Sequence, residues 1–131
     1  MIQVGTTVKF LDDLGIPFAK CIKIKGEKKS AGVGDIILVV IPKIKKKKFK
    51  GLMKNIRYRK KFRSGSMHRA LVVMTKKYIV REDGVRLGYD ENIVVFINKR
   101  KRPYFKHFYG PMMHEFYYTH KYVVAKAYQI Y

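Results

Sequence analysis

The stretch ALVVMTKKYIVREDGVRLGYDENIVVFIN, Ala70 to Asn98, decides the fold. It holds three short apolar runs, Ala70–Met74, Tyr78–Val80 and Ile93–Ile97. Each is short and rich in Val and Ile, which favours strands over helices. Between them lie Glu82-Asp83-Gly84 and Asp90-Glu91-Asn92. Asp-Gly between β-branched runs is a strong hairpin signal, because Gly accepts positive φ without a steric penalty. Lys76, Lys77, Arg81 and Arg86 sit among and beside these runs. The stretch therefore reads as a β-meander with a basic rim.

The flanking sequence continues the β pattern. Val4, Val8 and Phe10, with Thr6 and Thr7 between them, predict a strand within Met1–Phe10. Asp12-Asp13-Leu14-Gly15 reads as a turn. Phe18–Lys25 alternates, with Cys21 and Lys23 expected on one side and Ile22 and Ile24 on the other. Ile36–Ile41 is a continuous apolar run that suits a strand buried on both faces, ended by Pro42. After Asn98, the basic and aromatic segment Lys99–His107 contains Pro103 and reads as an extended arm. Two short C-terminal helices are expected over about 112–128, Met112–His120 and Tyr122–Tyr128, although their aromatics and Val123-Val124 would also suit strands. Pro111 is expected in the first turn of the first helix.

The 131 residues suit one domain with a modest core of its own. Against 30 Lys and Arg stand 9 Asp and Glu, a net charge of +21. That imbalance calls for a polyanionic partner, with nucleic acid first and an anionic membrane surface second. Ten Tyr and eight Phe are too many for a disordered basic tail. The lone Cys21 has no partner for an internal disulfide, which fits a reducing compartment. No stretch approaches the ~18–20 apolar residues of a membrane helix. Met1-Ile2-Gln3 leads straight into a strand-like pattern, so no signal or transit peptide is expected.

The charge is concentrated. Of the 21 residues from Lys43 to Arg63, 12 are Lys or Arg and none is acidic. A run such as Lys45–Lys48 has no counter-charge nearby and belongs in solvent or against phosphate. Lys and Arg gain affinity for nucleic acid by displacing condensed counterions. The candidate RNA contacts in the segment are Lys45, Lys46, Lys47, Lys48, Lys50, Arg57, Arg59, Lys60, Lys61 and Arg63. Outside it they are Lys23, the rim residues Lys76, Lys77 and Arg81, and Arg100, Arg102 and Lys106. Tyr58, Phe62, Tyr104 and Phe105 lie among these charges; stacking on unpaired bases and packing beneath the loops are equal readings for them.

Catalysis finds little support. Cys21 sits inside an alternating strand and reads as a packed core thiol. His107, His114 and His120 are 7 and 6 residues apart, which fits no helical zinc pair. Asp90 and Glu91 are adjacent in a turn and point apart, so they make a poor acid/base pair. Gly32-Val33-Gly34 lacks the Gly-Lys-Ser/Thr ending of a phosphate loop and precedes a strand. No catalytic residue, metal or cofactor is expected. A barrel held at an anionic membrane by Lys43–Arg63 is the alternative, but it lacks an amphipathic helix or a lipidation motif.

The same residues resemble the universal large-subunit ribosomal protein fourteen family. Its diagnostic pattern is matched by Ala70–Val73, Thr75-Lys76-Lys77, Asp83-Gly84, Tyr89-Asp90, Asn92, Val95, Ile97 and Asn98. Phe96 stands where that family has a smaller aliphatic residue. Met1-Ile2-Gln3, Thr6, Cys21-Ile22-Lys23, Gly34-Asp35-Ile36-Ile37, Gly110-Pro111 and Glu115 also match. The family's Arg-Gly-Thr-Arg is replaced by Tyr104–His107, and its shorter basic loop by an insertion at about 43–63. The resemblance implies a mainly β fold: a small five-stranded β-barrel with a projecting basic ribbon and short C-terminal helices. It implies a structural, non-enzymatic constituent of the large ribosomal subunit that binds large-subunit rRNA near the subunit interface. The implied neighbours are ribosomal proteins three and nineteen, with small-subunit rRNA reached through a bridge and no membrane partner. Heavy use of Lys, Ile, Phe, Tyr and Asn, all with AU-rich codons, suggests a divergent mitochondrial member. A bacterial cytoplasm or a plastid is the alternative location.

Overall fold

The computed structural model of the chain describes residues 1–11, 16–43 and 61–130. In chain order the strands are β1 (Thr7–Lys9), β2 (Phe18–Ile24), β3 (Ile36–Val40), β4 (Met67–Met74), β5 (Ile79–Val80), β6 (Arg86–Leu87), β7 (Ile93–Phe96) and β8 (Phe108–Met112). Two one-turn helices follow, α1 (Phe116–Thr119) and α2 (Lys121–Val124), and then β9 (Ala127–Ile130). Five strands close into a barrel in the order β1-β2-β3-β4-β7. Neighbours are antiparallel except β1 and β7, which close the barrel in parallel where Lys9 meets Ile93. Closure leaves the barrel no open edge. The five-stranded, mainly β architecture is the one expected from the sequence.

Within the barrel, alternation sets the core. In β3, Ile37 and Val39 are buried while Ile36, Leu38 and Val40 are half-buried, so this strand has one core face and not two. In β2 a bulge between Cys21 and Lys23 breaks the expected alternation. Cys21 and Ile24 both point inward, and Lys23 is exposed. Such a bulge adds an unpaired residue and sharpens the local twist, which helps a small barrel to close.

Ala70–Asn98 is not one meander. β4 and β7 pair directly with each other, and β5 and β6 form a separate two-stranded hairpin between them. The division follows burial. All four residues of β7 are buried, whereas Tyr78 is 69% and Val80 63% exposed. The hairpin turn has the predicted chemistry: Gly84 has φ +85°, and Asp83 Oδ1 accepts from the Val85 N–H at 3.1 Å.

One end of the barrel is filled by aromatic rings. Phe10 and Phe96 stack with centroids 4.2 Å apart, and Phe62 lies 4.8 Å from Phe96. Phe62 and Phe96 are fully buried. Burying one such side chain contributes roughly 1.5–3 kcal/mol.

The C-terminal segment departs from expectation. Phe108–Met112 is a strand, with Phe108, Gly110 and Met112 buried, and it pairs in parallel with β9. Pro111 therefore sits in a strand and not in a helix. The two helices are present but shorter than expected, at 116–119 and 121–124. Their buried Phe116, Val123 and Val124 hold them in place where one helical turn alone would not. Gly110 allows this segment to lie close to the barrel. A Cβ there would come within 2.8 Å of Leu11 Cδ1 and 2.9 Å of Met74 Cε. At that approach the segment reaches Met74, the last residue of β4, whose residues Ala70–Met74 are all buried.

Candidate nucleic-acid interface

Two clefts divide the described surface by charge. The first, of about 590 Å³, lies where the Met67 end of β4 meets the loop after β7. Leu38, Met67 and Ile97 are its apolar residues, and His68, Asn98 and Tyr104 are its uncharged polar and aromatic ones. Lys61, Arg69, Lys99 and Arg100 also line it, and among the described residues no acidic one does. Register explains part of this convergence. Leu38 faces Arg69 across the β3–β4 pair, and the Ile97 N–H donates to the Arg69 carbonyl at 3.2 Å.

The loop that carries Lys99 and Arg100 is tightly folded. Asn98 Oδ1 accepts from the backbone N–H groups of Arg100 and Arg102, each at 2.9 Å. Lys101 takes a left-handed φ of +60°, and Pro103 bridges back to Ile97. Phe105 is fully buried beyond it. Lys99–His107 is thus a loop pinned at both ends and not an extended arm. Two local causes combine: Asn98 supplies acceptors that the turn needs, and Phe105 gains more from the core than from solvent.

Aromatic side chains divide in the same way. Phe62 and Phe105 are core residues, which decides for packing in both cases. Tyr104 is half-buried and lines the cleft. Lys61 Nζ donates to its hydroxyl at 2.7 Å and lies 4.4 Å from the ring centroid. His68 is held between Phe62, at a centroid distance of 4.5 Å, and Ser66 Oγ, at 2.9 Å from Nε2. Burial pushes His68 below its ordinary value near 6.5, against a hydrogen bond to the Lys61 backbone that raises it, so the ring is mostly neutral at pH 7.

The second cleft, of about 840 Å³, lies between the Gly34-Asp35 turn, the β5–β6 hairpin and residues 113–120. Asp35, Glu82, Asp83 and Glu115 line it, four of the nine acidic residues of the chain. Arg81 is drawn into this group. Its Nε lies 2.6 Å from Glu115 Oε1, and its side chain is only 17% exposed. This cleft gathers acidic side chains, whereas the first gathers basic ones.

The expected contacts fall into four groups. Lys61 and Arg100 come together in the basic cleft. Lys23, Arg63, Lys76, Lys77, Arg102 and Lys106 are exposed elsewhere. Lys76 and Lys77 occupy the β4–β5 bend, fixed by a 3.1 Å bond from the Lys76 N–H to Asn92 Oδ1. The Arg102 guanidinium lies 4.8 Å from the Tyr122 ring centroid. Arg81 engages Glu115. Lys45, Lys46, Lys47, Lys48, Lys50, Arg57, Arg59 and Lys60 lie outside the described residues. The sequence reading missed Arg69 and Lys99. Arg69 was open to discovery from period-2 alternation in MHRA, which puts Met67 and Arg69 on one face and His68 and Ala70 on the other.

Cys21 behaves as a core thiol: it is fully buried, and burial pushes it above its ordinary value near 9.0. A family model described as Ribosomal protein L14p/L23e matches residues 1–131, the whole chain.

Proposed function

Because the chain belongs to the ribosomal protein L14p/L23e family, a structural constituent of the large ribosomal subunit, we propose that it binds large-subunit rRNA through its acid-free basic face. The observation that carries this reading is the convergence of Lys61, Arg69, Lys99 and Arg100 on one cleft while four acidic residues gather on another. A charge of +21 spread evenly would serve solubility; segregated charge gives a binding face. Lys23, Arg63, Lys76, Lys77, Arg102 and Lys106 add exposed positive charge outside the cleft, and Lys45–Lys50 and Arg57–Lys60 add to the positive charge of the chain. The mechanism is charge neutralisation and shape recognition by a rigid barrel.

The family resemblance supports a position at the subunit interface, beside ribosomal proteins three and nineteen, with a bridge to small-subunit rRNA. Residue usage rich in Lys, Ile, Phe, Tyr and Asn supports a mitochondrial ribosome as the location.

The test is the salt dependence of binding to a large-subunit rRNA fragment. Replacing Lys45, Lys46, Lys47 and Lys48 by Gln removes four charges. The slope of log affinity against log salt then becomes shallower by up to about 3–4. An unchanged slope shows that this run makes no phosphate contacts.

A further inference from the structure

We infer that the basic cleft is a subsite for one unpaired nucleotide, whose base enters between Tyr104 and the Leu38–Ile97 floor while Arg69, Lys99 and Arg100 take its flanking phosphates. The inference rests on the rRNA-binding reading and goes beyond it. Charge neutralisation needs only a convex basic surface; this one is concave.

Four observations point the same way. The cleft, at about 590 Å³, lies within the roughly 300–1,000 Å³ typical of small-ligand sites. Its floor is apolar, which suits a base face and not a hydrated phosphate. Its walls carry aromatic groups, Tyr104 and the neutral His68, and every base has a π-face to offer them. Among the described residues, its charged lining is wholly cationic.

The site is also built before any ligand arrives. Asn98 fixes the turn that holds Lys99 and Arg100 outward, through two 2.9 Å bonds. Arg69 is fixed by strand register opposite Leu38. Tyr104 packs edge-on against Phe62, with centroids 5.3 Å apart and planes at 85°. A ring held in this way loses little further freedom when a base stacks on it. A paired base offers no free face and cannot enter, so the subsite selects bulges, loops and strand ends over continuous helix.

The experiment uses the full chain and two RNA hairpins of equal length. One carries a single-nucleotide bulge with 2-aminopurine at the bulged position; the other is fully paired. The subsite predicts that the bulged hairpin binds tighter by on the order of ten-fold. The fluorescence of the probe should change on binding. Arg69→Gln with Lys99→Gln, both at exposed positions, should remove most of that preference and leave a folded protein by circular dichroism. Tyr104→Leu should abolish the fluorescence change, and Tyr104→Phe should keep it. Adenosine 5′-monophosphate should displace the bulge only at millimolar concentration. If it competes as well as the bulged RNA, the cleft is a free-nucleotide site and the inference fails. Equal, tight binding of both hairpins overturns the subsite while rRNA binding stands. If neither hairpin and no rRNA fragment binds, the rRNA-binding reading itself fails. Loss of the cleft's accessibility only when another ribosomal protein is added, with no preference for the bulge, assigns the cleft to a protein partner and overturns the inference.

Discussion

Single residues fix the turns, and Gly84 is the clearest case. Its φ of +85° lies in the left-handed region, and a Cβ there would meet nothing within 4 Å. A substitution is therefore penalised by backbone strain alone. Gly84→Val should cost about 1–2 kcal/mol, which lowers Tm by several degrees for a domain of this size. Gly84→Asn should cost less. Thermal melts decide it, and an unchanged Tm in Gly84→Val contradicts the turn geometry. The histidines give a second prediction. Burial holds His68 and His120 below their ordinary value near 6.5; the Lys101 charge adds to this at His120, while a hydrogen bond to the Lys61 backbone partly opposes it at His68. The unfolded chain thus takes up protons first on acidification. Stability from these groups is present above about pH 6.5 and lost as pH falls below it. His120 also has a buried Nδ1 with no hydrogen-bond partner among the described residues. His120→Phe should flatten the fall in Tm between pH 7 and 5, and an identical fall in the variant contradicts this. Of the aromatics, Phe96 was visible as an oddity in the sequence. Its partners Phe10 and Phe62 were not, because they are 86 and 34 positions away and only barrel closure brings them together.

Strands with a period of two were legible, and strands that rely on distant partners were not. β3, β4 and β7 were readable from apolar runs. The bulge in β2 was not, since the sequence carries no mark of a residue left out of register. β8 and β9 pair in parallel across two helices, and Pro111 inside β8 argued for a helix start. The β5–β6 hairpin was legible through Asp83-Gly84, but its separation from the barrel was not. Its tie to the C-terminal segment is the Arg81–Glu115 pair, half in solvent at 44% exposure on the Glu115 side. Such a pair contributes at most about 1 kcal/mol. Arg81→Ala should therefore leave global stability within about 1 kcal/mol and raise amide exchange at Ile79–Leu87. Exchange that stays at the wild-type rate contradicts the tether. The basic cleft was partly legible: Lys61 and Arg100 were candidates on charge alone, while Arg69 joined them only once the β3–β4 register was fixed.

At the scale of the molecule, a closed barrel holds a strongly asymmetric charge. The rigid part supplies position, through strand register and pinned turns. The basic surface supplies affinity. Self-repulsion at +21 opposes the compact state, so under the proposed function rRNA should stabilise the fold on binding. The direct measurement is co-sedimentation of the full-length chain with purified large ribosomal subunits, beside flotation with anionic vesicles. The chain should travel with large subunits through about 0.15 M salt, be released as salt rises, and stay out of the vesicle fraction. Recovery with the vesicles, or at the top of the gradient at 0.15 M salt with large subunits present, would contradict rRNA binding as its role.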